Sequence, residues 1–135
     1  MPFTYSRTVR FADTDAAGVV FFANYLAFCH EAYEESLAAS GIELQSFFRS
    51  TNVIVPISKS EASHLRPLRP GDKLRISVTP QLLSENSFAI DYEIVRLTPP
   101  VKVASRVRTE HVATSTQEKK RVPLPPSLGA WVSAG

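Results

Sequence analysis

The sequence predicts an α+β fold that packs one long helix against an antiparallel five-stranded sheet. Two observations carry that expectation. Between Phe22 and Ser40 the apolar residues Leu26, Cys29, Tyr33 and Leu37 recur three or four apart, opposite Glu31, Glu34 and Glu35, as on a helix with one buried face. Before and after that stretch the pattern changes to period two, in segments bounded by turn residues. Helix and strands segregated along a chain in this way pack as separate layers.

Each element follows in order. Phe3, Tyr5, Val9 and Phe11 alternate with Thr4, Ser6, Thr8 and Arg10, a half-buried strand interrupted only by Arg7. Asp13 to Gly18 is a loop of small residues, and Gly41 suits a left-handed helix stop. Val53 to Ser63 is β-rich, and Pro56 argues for an edge position or a bulge at its start. After the turn Arg66–Asp72, Leu74, Ile76 and Val78 alternate with Lys73, Arg75, Ser77 and Thr79. Ser84–Ser87 reverses the chain, and Phe88, Ile90, Tyr92 and Ile94 resume the alternation. Beyond Thr98-Pro-Pro100, Val101, Val103, Ser105, Val107 and Thr109 form one face of a last strand, completing an expected four-strand meander. A domain over residues 1–121 is therefore expected, with a Pro-rich tail, 122–135, lying extended along the surface.

The composition excludes several function classes. A chain of 135 residues with 44% hydrophobic and 21% charged content is that of one folded domain. A net charge of +2, evenly spread, is too weak to suggest a nucleic-acid partner. Cys29 stands alone, which rules out an intrachain disulfide and fits a reducing compartment. There is no apolar run long enough for a membrane span (about 18 residues), and the N-terminal residues lack the apolar core of a secretion signal. A cytoplasmic protein is expected, with no membrane partner. One helix cannot cover a five-stranded sheet, so a homo-oligomer is expected as well.

Chemistry concentrates in the segment from Phe11 to Tyr25. A carboxylate, Asp15, lies in a short loop, followed by Gly18 and then by the helix start. Unpaired N–H groups at a helix start hold a developing oxyanion. Gly18 would let a ligand approach the backbone, and Asp15 beside it would serve as nucleophile or general base. The same pattern suits a carboxylate that merely caps the helix or its own turn, and on pattern alone that reading is favoured.

The run Asp13-Thr-Asp15-x-x-Gly18-Val-Val-x-x-x-x-Tyr25 resembles the signature of the 4-hydroxybenzoyl-CoA thioesterase family, and Pro70-Gly71-Asp72 resembles that family's turn. The similarity extends from about Tyr5 to Val112. It implies the hotdog fold and an acyl-CoA substrate; no cofactor or metal is expected, since the sequence holds no cluster of ligand residues. It implies that Asp15 attacks the thioester carbonyl or activates the water that does. The N–H of Phe22, with that of Ala23, would polarise the carbonyl, and Gly18 and Tyr25 would line the substrate. Helices would pair across a dimer, and dimers would pair again.

This chain departs from the family pattern in two places. Phe22 stands where the Tol-Pal-associated branch has histidine, which makes the entrance more apolar. Ser84–Ser87 replaces a basic run of aromatic-specific relatives, so the phosphates of coenzyme A must find other partners; His64, Arg66 and Arg69 are the candidates, the two arginines in a turn shared with Lys73 and Arg75 that suits a merely solvated basic turn equally well. The run Phe11–Leu26 is most similar to the branch that hydrolyses 1,4-dihydroxy-2-naphthoyl-CoA in phylloquinone synthesis. A thioesterase for short or fatty acyl groups, on CoA or acyl carrier protein, and a non-catalytic acyl-CoA binding module are the alternatives.

Other chemistry-bearing residues have simpler readings. His30, His64 and His111 lack metal-ligand spacing, and His30 and His111 are expected to be solvated or structural. Cys29 lies on the apolar helix stripe as a buried thiol. Ser58, Ser60 and Ser63 lack the elbow motif of a serine hydrolase.

Overall fold

The α1 helix (Ala23–Ala39) lies across one face of a sheet whose strands run in the order β1 (Phe3–Thr8), β4 (Lys73–Ser84), β5 (Ser87–Arg96), β6 (Lys102–Val112) and β3 (Ile57–His64). The structure, a computed structural model, describes residues 2–47, 49 and 52–134. The shorter strands are β2 (Val53–Ile54) and β7 (Thr114–Ser115). Two further helices are α2 (Leu44–Phe47) and α3 (Pro126–Ala134), and a single 3-10 turn spans Phe11–Asp13. All neighbours in the main sheet are antiparallel, and β2 and β7 form a small separate ribbon.

Helix α1 stops where expected. Gly41 adopts φ +91°, and the N–H groups of Gly41 and Ile42 donate to the carbonyls of Ala38 and Leu37. Its buried face comprises Tyr25, Phe28, Cys29, Ala32, Tyr33, Ser36 and Leu37. Leu26, expected on this stripe, is instead 37% exposed, because the stripe is centred on Tyr25 and Phe28.

Strands β4 and β5 follow their alternation closely. Leu74, Ile76 and Val78 are buried toward the helix, as are Phe88, Ile90, Tyr92 and Ile94, while Lys73, Arg75 and Thr79 point away. In β6 the expected face is correct at Ser105, Val107 and Thr109, but Val103 is only half-buried, and Val101 lies before the strand and is exposed. A bulge explains the change: Ile94 pairs with Ser105 and Val95 with Val103, so Ala104 and Ser105 are both buried.

Two expectations are corrected. Only β4, β5 and β6 form a meander; β3 crosses to the far side of the sheet and pairs with β6, His64 opposite Ser105. It is an edge strand, the position that Pro56 favours. The tail is not extended throughout, because Pro126–Ala134 is the helix α3, which buries Leu128, Trp131 and Val132 against the core. Pro126 opens that helix, a position where a missing N–H costs nothing. Among the described residues, no helix is long and apolar enough to cross a membrane.

Candidate active site

The loop between β1 and α1 is a narrow hairpin held by backbone bonds. Thr14 and Val20 form a bridge, the Asp15 N–H donates to Val19 O (2.9 Å), and the Gly18 N–H donates to Asp15 O (3.0 Å). Gly18 sits at φ +78°, a conformation that disfavours any side chain, and a Cβ there would meet no atom within 4 Å. Glycine is therefore demanded by the backbone, and the space beside it is open.

Asp15 is exposed at this tip. Its Oδ1 accepts the Ala17 N–H (2.8 Å), which closes the turn, while Oδ2 has no protein partner among the described residues. Asp15 does not cap α1. The N-cap position belongs to Phe22, which makes no side-chain cap bond. The cap reading left open by the sequence is thus excluded, and the turn reading accounts for only one of the two carboxylate oxygens.

The far arm of the loop leads directly into the helix start. The Phe21 N–H donates to Asp13 O (3.0 Å), and the Asn24 side-chain N–H donates to the same carbonyl (2.8 Å). Among the described residues no backbone acceptor meets the N–H groups of Phe22 and Ala23, as the first turn of a helix requires. Phe11, Phe21 and Phe22 are exposed around this point, and the last two rings lie 4.9 Å apart.

Asp13 is the base of the loop. Arg7 grips its carboxylate with Nη1 to Oδ2 (2.7 Å) and Nη2 to Oδ1 (3.3 Å), and the Arg10 N–H also donates to Oδ2 (2.7 Å). Partial burial works to raise the Asp13 pKa, but the hydrogen bonds from Arg7 and Arg10 outweigh it and hold the carboxyl below its ordinary range. Arg7, Asn24 and Glu31 escaped the sequence reading. The one signal was Arg7 itself, a charge at an inward-facing register of β1.

Tyr25 and His64 come together at the other side of the helix start. Tyr25 is buried, with its ring 4.4 Å from that of His64. Burial raises the Tyr25 hydroxyl pKa, against a hydrogen bond from the Leu68 N–H. Leu68 O in turn accepts the Val20 N–H (2.8 Å), so the β3–β4 connection is tied to the Asp15 loop. His64 Nδ1 lies 3.2 Å from Ser105 Oγ. Arg66 and Arg69 are exposed on the same connection, and Arg66 donates to the Leu65 carbonyl. The structure therefore brings Gly18, Phe22, Ala23 and Tyr25 onto one loop-and-helix unit with Asp15, and sets His64 against it.

A cavity of about 100 Å³ opens between α1 and the sheet, lined by Leu26, Cys29, His30, Ile57, Ser60, Tyr92 and Thr109. A larger cleft of about 630 Å³ lies between Ser77, Asp91, Glu93, Arg106 and Arg108 and holds none of the expected site residues. Cys29 is buried, and desolvation pushes its thiol pKa up. His30 is exposed beside Glu34 (3.3 Å). His111 is a core residue stacked on Phe88 at 4.6 Å. Among the described residues no three His, Cys, Asp or Glu side chains are grouped to hold a metal.

A hotdog sheet around one helix, with an acidic hairpin leading into that helix, is the architecture of a family of thioesterases. Residues 9–132 match the thioesterase-like superfamily, and the chain belongs to that family. Among its relatives, a 1,4-dihydroxy-2-naphthoyl-CoA hydrolase of Nostoc punctiforme is 47% identical over 132 residues, covering 98% of this chain and 87% of the relative. A protein of the same name from Rippkaea orientalis is 45% identical over 130 residues, covering 96% and 94%. The crystal structure of a 1,4-dihydroxy-2-naphthoyl-CoA thioesterase from Synechocystis superposes with a TM-score of 0.92 at 34% identity, covering 98% of this chain and 96% of that one.

Proposed function

We propose that this chain hydrolyses 1,4-dihydroxy-2-naphthoyl-CoA to 1,4-dihydroxy-2-naphthoate and CoA, a step of phylloquinone synthesis, with Asp15 as nucleophile or general base. One observation carries the chemistry. Asp15 presents a free carboxylate oxygen on a hairpin whose other arm is the start of α1, where the Phe22 and Ala23 N–H groups lack backbone acceptors among the described residues. A thioester carbonyl oxygen received by those N–H groups would be polarised as negative charge develops on it. Either Asp15 attacks the carbonyl carbon, expelling CoA thiolate and leaving a mixed anhydride that water cleaves, or Asp15 takes a proton from the water that attacks. The thiolate leaves as CoA in both routes, and only protein groups and water take part.

The fused aromatic acyl group is supported by the exposed rings of Phe11, Phe21 and Phe22 beside the loop, and by the relatives' 40–47% identity. Arg66 and Arg69, exposed on the β3–β4 connection, would with His64 supply basic groups for the CoA phosphates. Strand β3 is exposed at every residue and, among the described residues, no strand pairs with its outer edge, with Ile54, Ile57 and Leu65 exposed around it. Such an edge is a template for pairing with a second copy, which supports a homodimer and, by its further pairing, a tetramer.

The test is a hydrolysis panel of fused-aromatic, single-ring, short-chain and long-chain acyl-CoA esters with light scattering on the same sample. The naphthoyl ester should give the highest kcat/KM. Higher efficiency on aliphatic esters would transfer the assignment to the short-chain or fatty acyl class, and an active monomer at micromolar concentration would overturn the assembly.

A further inference from the structure

We infer that Arg7 is a positioning residue for the reaction: acting through Asp13, it fixes the hairpin that carries Asp15 and leads into the helix-start N–H groups. The inference rests on the reading that Asp15 performs the chemistry, and it adds a component supplied by β1.

Arg7 occupies a place where the pattern of β1 calls for an apolar residue. It pairs across the sheet with buried Leu74, and Tyr5 pairs with buried Ile76. A guanidinium so placed must be compensated, and here all three of its nitrogens are used. Nε donates to Glu31 Oε1 (2.7 Å), Nη1 to Asp13 Oδ2 (2.7 Å) and also to Thr8 O (3.2 Å), and Nη2 to Asp13 Oδ1 (3.3 Å). Its carbon centre lies 4.1 Å from the centroid of the Phe28 ring. The Tyr5 hydroxyl donates to the same Glu31 oxygen (3.0 Å), which fixes the carboxylate that fixes Arg7. One planar cation thus joins β1, α1 and the loop.

What the cation holds explains its role. Asp13 is the residue at which the two arms of the hairpin meet. Its carboxylate belongs to Arg7 and the Arg10 N–H, while its carbonyl oxygen receives the Phe21 N–H and the Asn24 side chain. Asp15 lies two residues beyond it, and Phe22 directly follows Phe21. Sliding of Asp13 would move the carboxylate and the N–H donors together with respect to the body of the helix. A planar fork resists that motion better than a point charge, because two parallel bonds set an orientation as well as a distance. The pair is shielded, with side-chain exposures of 17% for Arg7 and 14% for Asp13. Arginine also never loses its proton in the working range, so the clamp is permanently set. Among the described residues no hydrogen bond joins Arg7 to Asp15 or to the Phe22 and Ala23 N–H groups, so its influence on the reaction is transmitted by Asp13.

The experiment is a double-mutant cycle on purified protein: Arg7→Met, Asp13→Asn and the combined variant, with Arg7→Lys alongside, each measured for kcat, KM and melting temperature. The substrate is 1,4-dihydroxy-2-naphthoyl-CoA, or whichever acyl-CoA the panel shows to be turned over best. Misplacing a reacting group by a fraction of an ångström to one ångström costs roughly 10- to 100-fold in rate. Arg7→Met should therefore lower kcat by at least about tenfold, with KM moved by no more than roughly twofold. Arg7→Lys, which keeps the charge but not the fork, should recover only part of the loss. The combined variant should be no slower than the slower single variant, since both remove the same link. Losses that multiply in the combined variant, or a wild-type kcat in folded Arg7→Met, overturn the inference. Should Arg7→Met fail to fold, a wild-type kcat in Arg7→Lys overturns it equally. Asp15→Asn separates the two claims: if it stays active the catalytic reading falls, whereas an inactive Asp15→Asn beside a fully active Arg7→Met removes only the role of Arg7.

Discussion

The indole N–H of Trp131 donates to Ser36 Oγ at 2.9 Å, a buried bond between residues 95 positions apart. Through it α3 is pinned to the middle of α1, and the Trp131 ring also packs 5.6 Å from those of Tyr33 and Phe88. Trp131→Ala should cost about 3–5 kcal/mol by removing a large core side chain. Ser36→Ala should cost about 1–3 kcal/mol, since it strands a buried donor. Urea unfolding followed by circular dichroism measures both. Losses below about 0.5 kcal/mol in each would show that α3 is a surface appendage.

A second prediction concerns acid stability. Burial, with a smaller contribution from His30, lowers the His111 pKa from 6.5 to about 4. His111 Nε2 lies 2.7 Å from Thr109 Oγ1, and Nδ1 has no partner among the described residues. The neutral ring is the native form, so the unfolded chain binds the extra proton. Stability from this group is full above pH 6.5 and declines as pH falls to about 4, a loss on the order of 3 kcal/mol. His111→Phe, which keeps the stacking on Phe88, should flatten the unfolding free energy across that window. An unchanged slope would assign the acid lability to other groups.

Cys29 should be inert in the native protein. It is 1% exposed, and desolvation pushes its thiol pKa well up. Thiolate is the reactive form, so modification by an aromatic disulfide reagent should run at roughly a hundredth or less of the unfolded rate. Rapid labelling of folded protein would show that the cavity beside Leu26 and His30 admits reagents freely.

How much of this was legible in the sequence follows from the range of each interaction. Strands β4 and β5 each place one face on the helix, so their alternation reports burial, and every residue expected on that face is buried, although Ala89 and Val95 on the other register of β5 are buried as well. The hairpin tip was legible for the same local reason: Asp15, Ala17 and Gly18 bond within three or four residues of one another. The partner of β3 was not, because nothing near Ile57–His64 states that the strand will cross to β6. Helix α3 was hidden by its prolines and by an apolar face whose partner, Ser36, is remote. Arg7 showed as a break in a pattern, yet one of its carboxylate partners lies 24 residues away on another element. Local periodicity records which side is buried, whereas compensation of a buried charge is a tertiary fact.

The sharpest prediction is Asp15→Asn. The amide oxygen of asparagine can accept the Ala17 N–H as Oδ1 does now, so the turn survives and the melting temperature should move by no more than about 2 °C. What the substitution removes is the negative charge of the free oxygen. If that oxygen attacks the thioester or takes a proton from water, kcat should fall by at least about 100-fold. KM should change little, because the proposed oxyanion donors are backbone N–H groups that the substitution leaves in place. Asp13→Asn is the informative neighbour: it keeps Asp15 intact and disturbs only the base of the hairpin, so its loss should be milder, on the order of tenfold. Steady-state hydrolysis with thermal unfolding on the same samples separates these cases. A folded Asp15→Asn protein that turns over at the wild-type rate would falsify the catalytic assignment, whatever the Asp13 variant does.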